Sequence, residues 1–200
     1  MAYRGHTGGG ARRIGLCLIV LAGGGCFGPM KVPTDYAITG PPSGADRIPL
    51  RVGLYMSPQF GNYSGNFGRG FISLGEAMSS GAERALRTAI EEVVIIKQLE
   101  SRGSTEGVRA IVAPEIVEAR MGNSDEKGFH KGHCQVWCKW TVSTPEGKLV
   151  YVNTVLGEAH HDRRAPAPTV WTECMTLAVQ DQYRKLVEII SSTQWWQSIR

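Results

Sequence analysis

The sequence lacks an apolar run long enough to cross a bilayer. The run near its N-terminus, Ile14 to Ala22, has nine residues, whereas a membrane-spanning helix needs about 20. Dense clusters of lysine and arginine are also missing. The first 25 residues contain three arginines and no acidic residue, and residues 26–200 carry 19 basic and 18 acidic side chains. The net charge of +4 is therefore mostly a property of the leader. A polytopic membrane protein is excluded, and we predict no nucleic-acid partner.

Sequence signatures of the common enzyme classes are missing as well. The chain contains no Gly-x-Ser-x-Gly, His-Glu-x-x-His or P-loop motif, and the glycines of residues 65–70 do not fit the dinucleotide-binding fingerprint. One group resembles an acid/base cluster, but it stands at a predicted strand end beside two arginines, where a solvated turn is the ordinary explanation. Its members are Glu158, His160, His161 and Asp162. We predict no enzyme activity, no catalytic residue and no cofactor.

The first 26 residues have the layout of an export signal. A polar, positively charged stretch to Arg13 precedes the nine-residue apolar run, and three glycines then lead to Cys26. This order resembles the signal peptide of bacterial lipoproteins, which is cut before a cysteine that carries diacylglycerol. The resemblance implies a signal peptide over residues 1–25 and lipid on Cys26. Because Phe27 stands where a retention signal has aspartate, it also implies the outer membrane, facing the periplasm.

Proline and glycine are concentrated just after Cys26. Residues 26–46 contain four prolines and three glycines, which favour an extended chain over packed structure. We therefore interpret residues 26–46 as the lipidated cysteine and its tether, and residues 47–200 as a single domain.

The domain shows the periodicities of an α+β protein. Strand patterns cover residues 47–56, 93–96 and 108–121, and a hairpin pattern covers 133–143 and 148–160 around the turn at Thr144 to Gly147. The 108–121 pattern places Glu115, Val117 and Ala119 on one face. Ser73 and Glu76 predict a capping box for a first helix, and a second helix is predicted from Thr169 to about Ser192. The order β-α-β-β-β-β-α favours a mainly antiparallel sheet of four to five strands with two helices on one face.

This order weakly resembles the compact outer-membrane lipoproteins of assembly and secretion, such as the lipopolysaccharide-assembly lipoprotein and the curli-type secretion lipoproteins. The correspondences are Gly81 in the first helix, the hairpin from Trp137 to Gly157 and the closing helix. They concern architecture, so the resemblance implies no functional residue.

Three cysteines in the domain are candidates for redox or metal chemistry. Cys134 and Cys138 lie beside His130 and His133, and His160 and His161 close the partner strand, so a metal cluster is one interpretation. The two cysteines are four apart, however, which is about 13 Å on a strand, and this is too far for one zinc ion or for a bridge between the two. We predict no metal site. In an oxidising compartment, a disulfide of Cys174 with either Cys134 or Cys138 is the expected use of these thiols.

Aromatic side chains are the candidates for contact with a partner. The Gly-rich stretch 57–71 carries four that fit no core periodicity. They are either anchors for a partner or a lid over the sheet edge: Phe60, Tyr63, Phe67 and Phe71. Near the C-terminus, Trp195 and Trp196 either rest on a bilayer or cap the core, and we expect the core.

Together these features predict a membrane-anchored periplasmic lipoprotein without catalytic activity, which binds or scaffolds another envelope protein. The alternatives are a soluble periplasmic or secreted ligand-binding domain and a thiol- or metal-dependent periplasmic enzyme. Cleavage of the leader without acylation would indicate the soluble ligand-binding domain, and reactive thiols or histidines would indicate the enzyme.

Overall fold

The structure is a computed structural model that describes residues 30–38, 47–67, 70–99, 106–126, 129–161 and 167–199. The predicted signal peptide and Cys26 lie outside the described residues. The described part contains eight strands and three α-helices, in two sheets. The predicted α+β class is confirmed.

A five-stranded sheet forms the centre of the fold. Its strands are β2 (Ile48–Tyr55), β5 (Ile90–Ile96), β6 (Ala110–Glu126), β7 (Phe129–Ser143) and β8 (Leu149–His161), in the order β5-β2-β6-β7-β8. β2 is parallel to both β5 and β6, and the remaining pairs are antiparallel. The expectation of a mainly antiparallel sheet is thus wrong for the first half of the domain. A helix carries the chain from β2 back to β5, and such a crossover makes neighbouring strands parallel.

A second, three-stranded sheet was not predicted. It consists of β1 (Met30–Lys31), β4 (Gly70–Ser73) and β3 (Ser64–Phe67), in that order, and a one-turn helix, α1 (Pro58–Gly61), precedes it. These residues were interpreted as tether and loop. Their many glycines and prolines break the alternation that normally indicates a strand.

Two long helices, α2 (Gly75–Ala89) and α3 (Ala167–Ser192), pack over one face of the large sheet, as predicted. The main core lies between these helices and the inward side chains of the strands. Two glycines allow the close packing. A Cβ on Gly81 would lie 2.0 Å from Tyr36 Oη, and one on Gly157 would lie 2.1 Å from the carbonyl oxygen of Ala178.

The predicted capping box at the start of α2 is wrong. Ser73 belongs to β4, and α2 begins at Gly75 after Leu74, which makes no side-chain cap bond. The backbone N–H groups of Leu74 and Gly75 instead donate to the carbonyl oxygen of Tyr63, each at 3.0 Å. Packing against the preceding loop thus satisfies donors that a capping side chain would otherwise bind.

A β-bulge in β6 overturns the predicted assignment of its faces. The register against β7 shifts between Ile116 and Glu118, which leaves Val117 56% exposed and turns Ala119 inward. Because a bulge inserts one extra residue, every side chain beyond it changes face.

Candidate functional site

Residues 30–38, which we call the N-terminal strap, pack against the domain. β1 pairs in parallel with β4, and the side chains of Val32 and Tyr36 are each 5% exposed. Tyr36 Oη donates a hydrogen bond of 2.7 Å to the carbonyl oxygen of Ala77 on α2. Burial raises the pKa of the Tyr36 phenol, so it remains a neutral donor. Within the range interpreted as a tether, residues 30–38 are therefore held in place.

Arg84 on α2 holds the strap by its backbone. Nη1 donates to the carbonyl oxygen of Tyr36 at 2.8 Å, and Nη2 donates to that of Thr34 at 2.6 Å. The guanidinium carbon also lies 4.7 Å from the centre of the Tyr36 ring. A guanidinium offers this fork of donors in fixed geometry. Arg84 and its partners are about 50 residues apart in the chain, so no local motif indicates this contact. The one sequence signal for a packed segment is the presence of Val32 and Tyr36 among prolines.

The four aromatic side chains of the predicted partner-binding loop have different environments. Phe60 is 1% exposed and belongs to the core, so it is not available to a partner. Tyr63 is partly buried and packs against the same core. Phe71 on β4 is 57% exposed. The side chain of Phe67 lies outside the described part. Phe71 thus remains the described candidate for an external contact.

The three cysteines of the domain are buried and free. The Cys134 thiol on β7 donates a hydrogen bond to Cys174 Sγ on α3, and the Cys174 thiol donates to the carbonyl oxygen of Ala159 at 3.4 Å. The bond to Cys174, together with burial, raises the pKa of the Cys134 thiol. Burial likewise raises the pKa of Cys138, whose Sγ lies 3.9 Å from the carbonyl oxygen of Lys139. Of the two pairings predicted for Cys174, the structure brings Cys134 next to it.

Glu158 and His160, for which the sequence predicts a solvated turn, lie next to His133 on the outer face of β7 and β8. His133 pairs across the strands with His160, and their rings stack at 4.4 Å between centres and 5° between planes. His133 Nε2 lies 2.7 Å from Glu158 Oε1. The hydrogen bond from His133 is the main reason that the pKa of Glu158 is lowered. His161 faces the opposite way, 2.6 Å from Glu173, and Asp162 lies outside the described residues. The sequence pattern places His160 and His161 on the strand that pairs with that of His133, but it does not give the register that sets His133 opposite His160.

Two side chains of α3 cover the backbone of β8, which is an edge strand of the large sheet. Asp181 Oδ2 accepts the N–H of Glu158 at 3.1 Å, and Lys185 Nζ donates to the carbonyl oxygen of Leu156 at 3.0 Å. Asp181 and Lys185 also pair with each other at 2.6 Å. An exposed edge strand offers free backbone groups to which a further strand can pair. In β8, the carbonyl oxygen of Leu156 and the N–H of Glu158 are already bonded to these side chains.

Near the C-terminus, Trp195 is 8% exposed and stacks with Tyr151 at 6.5 Å between ring centres. Its predicted place in the core is confirmed, and Trp196 packs partly buried against the same core. Within the described ranges, no helix is both long enough and apolar enough to cross a membrane.

Comparison with known proteins gives a similarity of fold. No family model matches the chain, and no curated protein is similar in sequence. A homolog of a neuraminyllactose-binding hemagglutinin from Helicobacter pylori has a similar structure, with a TM-score of 0.51, 10% identity, and coverage of 84% of this chain and 96% of that one. A Xanthomonas campestris protein of the DUF330 family has a TM-score of 0.50 at 7% identity, covering 84% and 91%.

A minor lipoprotein from Acinetobacter baumannii is also similar, with a TM-score of 0.46 and 8% identity over 74% of this chain and 94% of that one. Several solved proteins from bacteria thus resemble this chain. At these identities, the Helicobacter and Xanthomonas structures indicate a shared fold and nothing more specific.

Proposed function

We propose that this chain is a lipid-anchored protein of the bacterial cell envelope, which binds or scaffolds another envelope component without catalysis. The observation that carries the proposal is the position of Cys26. It directly follows the export-type leader, and it precedes by four residues the strap that is packed on the domain. A cysteine at this junction is where a lipid anchor can hold a folded domain.

The packed strap makes this a short anchor. Four residue steps separate Cys26 from Met30 and span at most about 14 Å when fully extended. Lipid chains on Cys26 bind the membrane with about 0.8 kcal/mol for each buried methylene, so two or three chains anchor stably. The domain would then stay at the membrane surface, where confinement raises its effective concentration near a membrane partner.

The proposed anchor is attached just before β1, so the end of the small sheet at which β1 begins would lie nearest the bilayer. Met30 pairs with Ile72 in parallel strands, so β1 starts at the end where exposed Phe71 lies. We propose that this end faces the membrane and that the partner binds elsewhere on the domain. The burial of the thiols argues against the thiol-enzyme alternative, because Cys134, Cys138 and Cys174 are all 0% exposed and reactive cysteines need access.

The test is the intact mass and membrane fractionation of the wild type and the Cys26→Ala variant, made in a bacterium that processes lipoproteins. We expect a wild-type chain that begins at residue 26 with added diacylglycerol, and loss of both lipid and membrane retention in the variant. Cys17→Ala is the matched control, since it removes a leader cysteine and should leave both unchanged. A wild-type chain without lipid in the soluble fraction would refute the anchor.

A further inference from the structure

A cluster of metal-binding side-chain types lies on the outer face of the sheet, where the first part of β7 pairs with the end of β8. His133 and His160 are cross-strand partners, and Glu158 is two residues from His160 on the same strand. Because side chains alternate along a strand, all three project from one face. The neighbouring Cys134 and His161 are on the other, buried face.

The three side chains are already close together. One ligand atom from each can be chosen so that all lie within 4.8 Å of one another. Two ligands of a tetrahedral zinc ion, each about 2.0 to 2.2 Å from the metal, are about 3.4 Å apart. His133 is partly exposed, and Glu158 and His160 are exposed, so side-chain rotation can close the remaining gap without moving the backbone.

A neighbouring residue supports the carboxylate. Gln135 Nε2 donates to Glu158 Oε1 at 3.0 Å, and Gln135 pairs across the strands with Glu158. Hydrogen bonds to ligating groups orient them and increase metal affinity. The cluster therefore contains two imidazoles, one carboxylate and the amide of Gln135, which orients the carboxylate.

We propose that His133, Glu158 and His160 bind a divalent transition-metal cation of the zinc type. Imidazole nitrogen and carboxylate oxygen are ligands that zinc accepts together, and three protein ligands leave a coordination position for water or an outside donor. Bound metal would join β7 to the edge strand β8. This inference is independent of lipidation, and it revises the expectation from sequence that the chain has no metal site.

The test is a titration of the full chain with zinc after chelator treatment, followed by calorimetry. We expect one site in the wild type and at least about tenfold weaker binding in His133→Ala and in His160→Ala. Glu115→Gln is the control, because Glu115 is an exposed carboxylate on a neighbouring strand, paired with Lys139 at 3.4 Å, and should bind zinc like the wild type.

Cobalt provides a second readout, because its visible spectrum separates nitrogen and oxygen ligands from sulfur ligands. We expect a four-coordinate spectrum without a thiolate band, lost in both histidine variants. Equal zinc affinity in the wild type and His160→Ala, the absence of saturable binding, or a thiolate band that persists in both histidine variants would each overturn the proposal.

Discussion

Arg84 is the side chain on which the position of the N-terminal strap most depends. It donates to two strap carbonyls that are themselves packed against the helix. Hydrogen bonds from a charged group each contribute about 1.5 to 3 kcal/mol, so we expect Arg84→Ala to lower the free energy of unfolding by about 2 kcal/mol. Urea denaturation measures this change, and limited proteolysis should show earlier cleavage near Thr34.

Arg87, one turn further along α2, is the matched control for this prediction. Its side chain is 51% exposed and, among the residues that the structure describes, pairs with Glu83 at 2.9 Å. Surface pairs of this kind contribute less than about 1 kcal/mol, so Arg87→Ala should leave the strap protected. Equal losses in the two variants would mean that the strap does not depend on Arg84.

The carboxyl group of Asp181 covers part of the β8 edge, so its ionisation should affect the stability of the domain. Burial alone would raise the pKa of Asp181, but hydrogen bonds from Lys185, Arg184 and the backbone N–H of Glu158 outweigh it and lower the pKa below its ordinary value of 3.8. A carboxyl group with a lowered pKa stabilises the folded state above the unfolded-state pKa, and this contribution is lost as pH falls through the folded-state pKa.

Asp181→Asn should therefore destabilise the domain at neutral pH, and the deficit should shrink as pH falls below 3.8. Denaturant unfolding of both proteins across this range checks the sign. A deficit that is the same at every pH would show that the charge of Asp181 contributes nothing. Greater self-association of the variant at neutral pH would be consistent with an uncovered β8 edge.

Among the larger elements, the contact between α3 and β7 contains the candidate disulfide. Cys134 donates a hydrogen bond to Cys174, whereas Cys138 lies four residues further along β7. In an oxidising compartment we expect one bridge, Cys134 to Cys174. Closing a loop of about 40 residues should stabilise the fold by about 4 kcal/mol if native strain is small.

Peptide mapping of the non-reduced protein from the periplasm identifies this bridge. Cys138→Ala should retain it, and Cys174→Ala should abolish it and lower the midpoint of thermal unfolding. Three free thiols in the exported wild type, or a bridge to Cys138, would contradict the prediction.

For the molecule as a whole, the short lipid anchor that we propose predicts that one fixed side of the domain faces the membrane. Phe71 and Leu149 are matched probes, with exposures of 57% and 59%. His161, at the other end of β8 from Leu149, lines the same depression as Pro33 of the strap, and the 13 residues of β8 span about 40 Å. Phe71 should therefore lie at the bilayer and Leu149 far from it.

The measurement uses Phe71→Cys and Leu149→Cys, each labelled with a solvent-sensitive fluorophore in lipidated protein on vesicles. We expect a blue shift and quenching by lipid-borne quenchers at position 71 only. The native thiols of the domain are buried and should not react. Identical spectra at the two positions, in protein whose mass confirms lipid, would refute the orientation while leaving the anchor intact.

Much of the secondary structure follows from local pattern. The sequence predicts the β7 to β8 hairpin within four residues of its observed strand ends, because alternation on both sides of the Thr144 to Gly147 turn is a local signal. The end of α3 at Ser192 and the burial of Trp195 were predicted as well. The bulge at Val117 was not, since an extra residue in one strand is visible only against its partner.

The sequence by itself determined the α+β class, the hairpin and the closing helix, because each depends on neighbouring residues, and the leader over residues 1–25 stays a prediction of the same local kind. Only the tertiary structure decided the parallel pairing of β2, the packing of the strap under Arg84, and the cross-strand register that sets His133 opposite His160 and beside Glu158. The physical reason is that these contacts join residues 25 to 50 or more apart. Their energies depend on which strands pair and how helices cross, and no local periodicity encodes either.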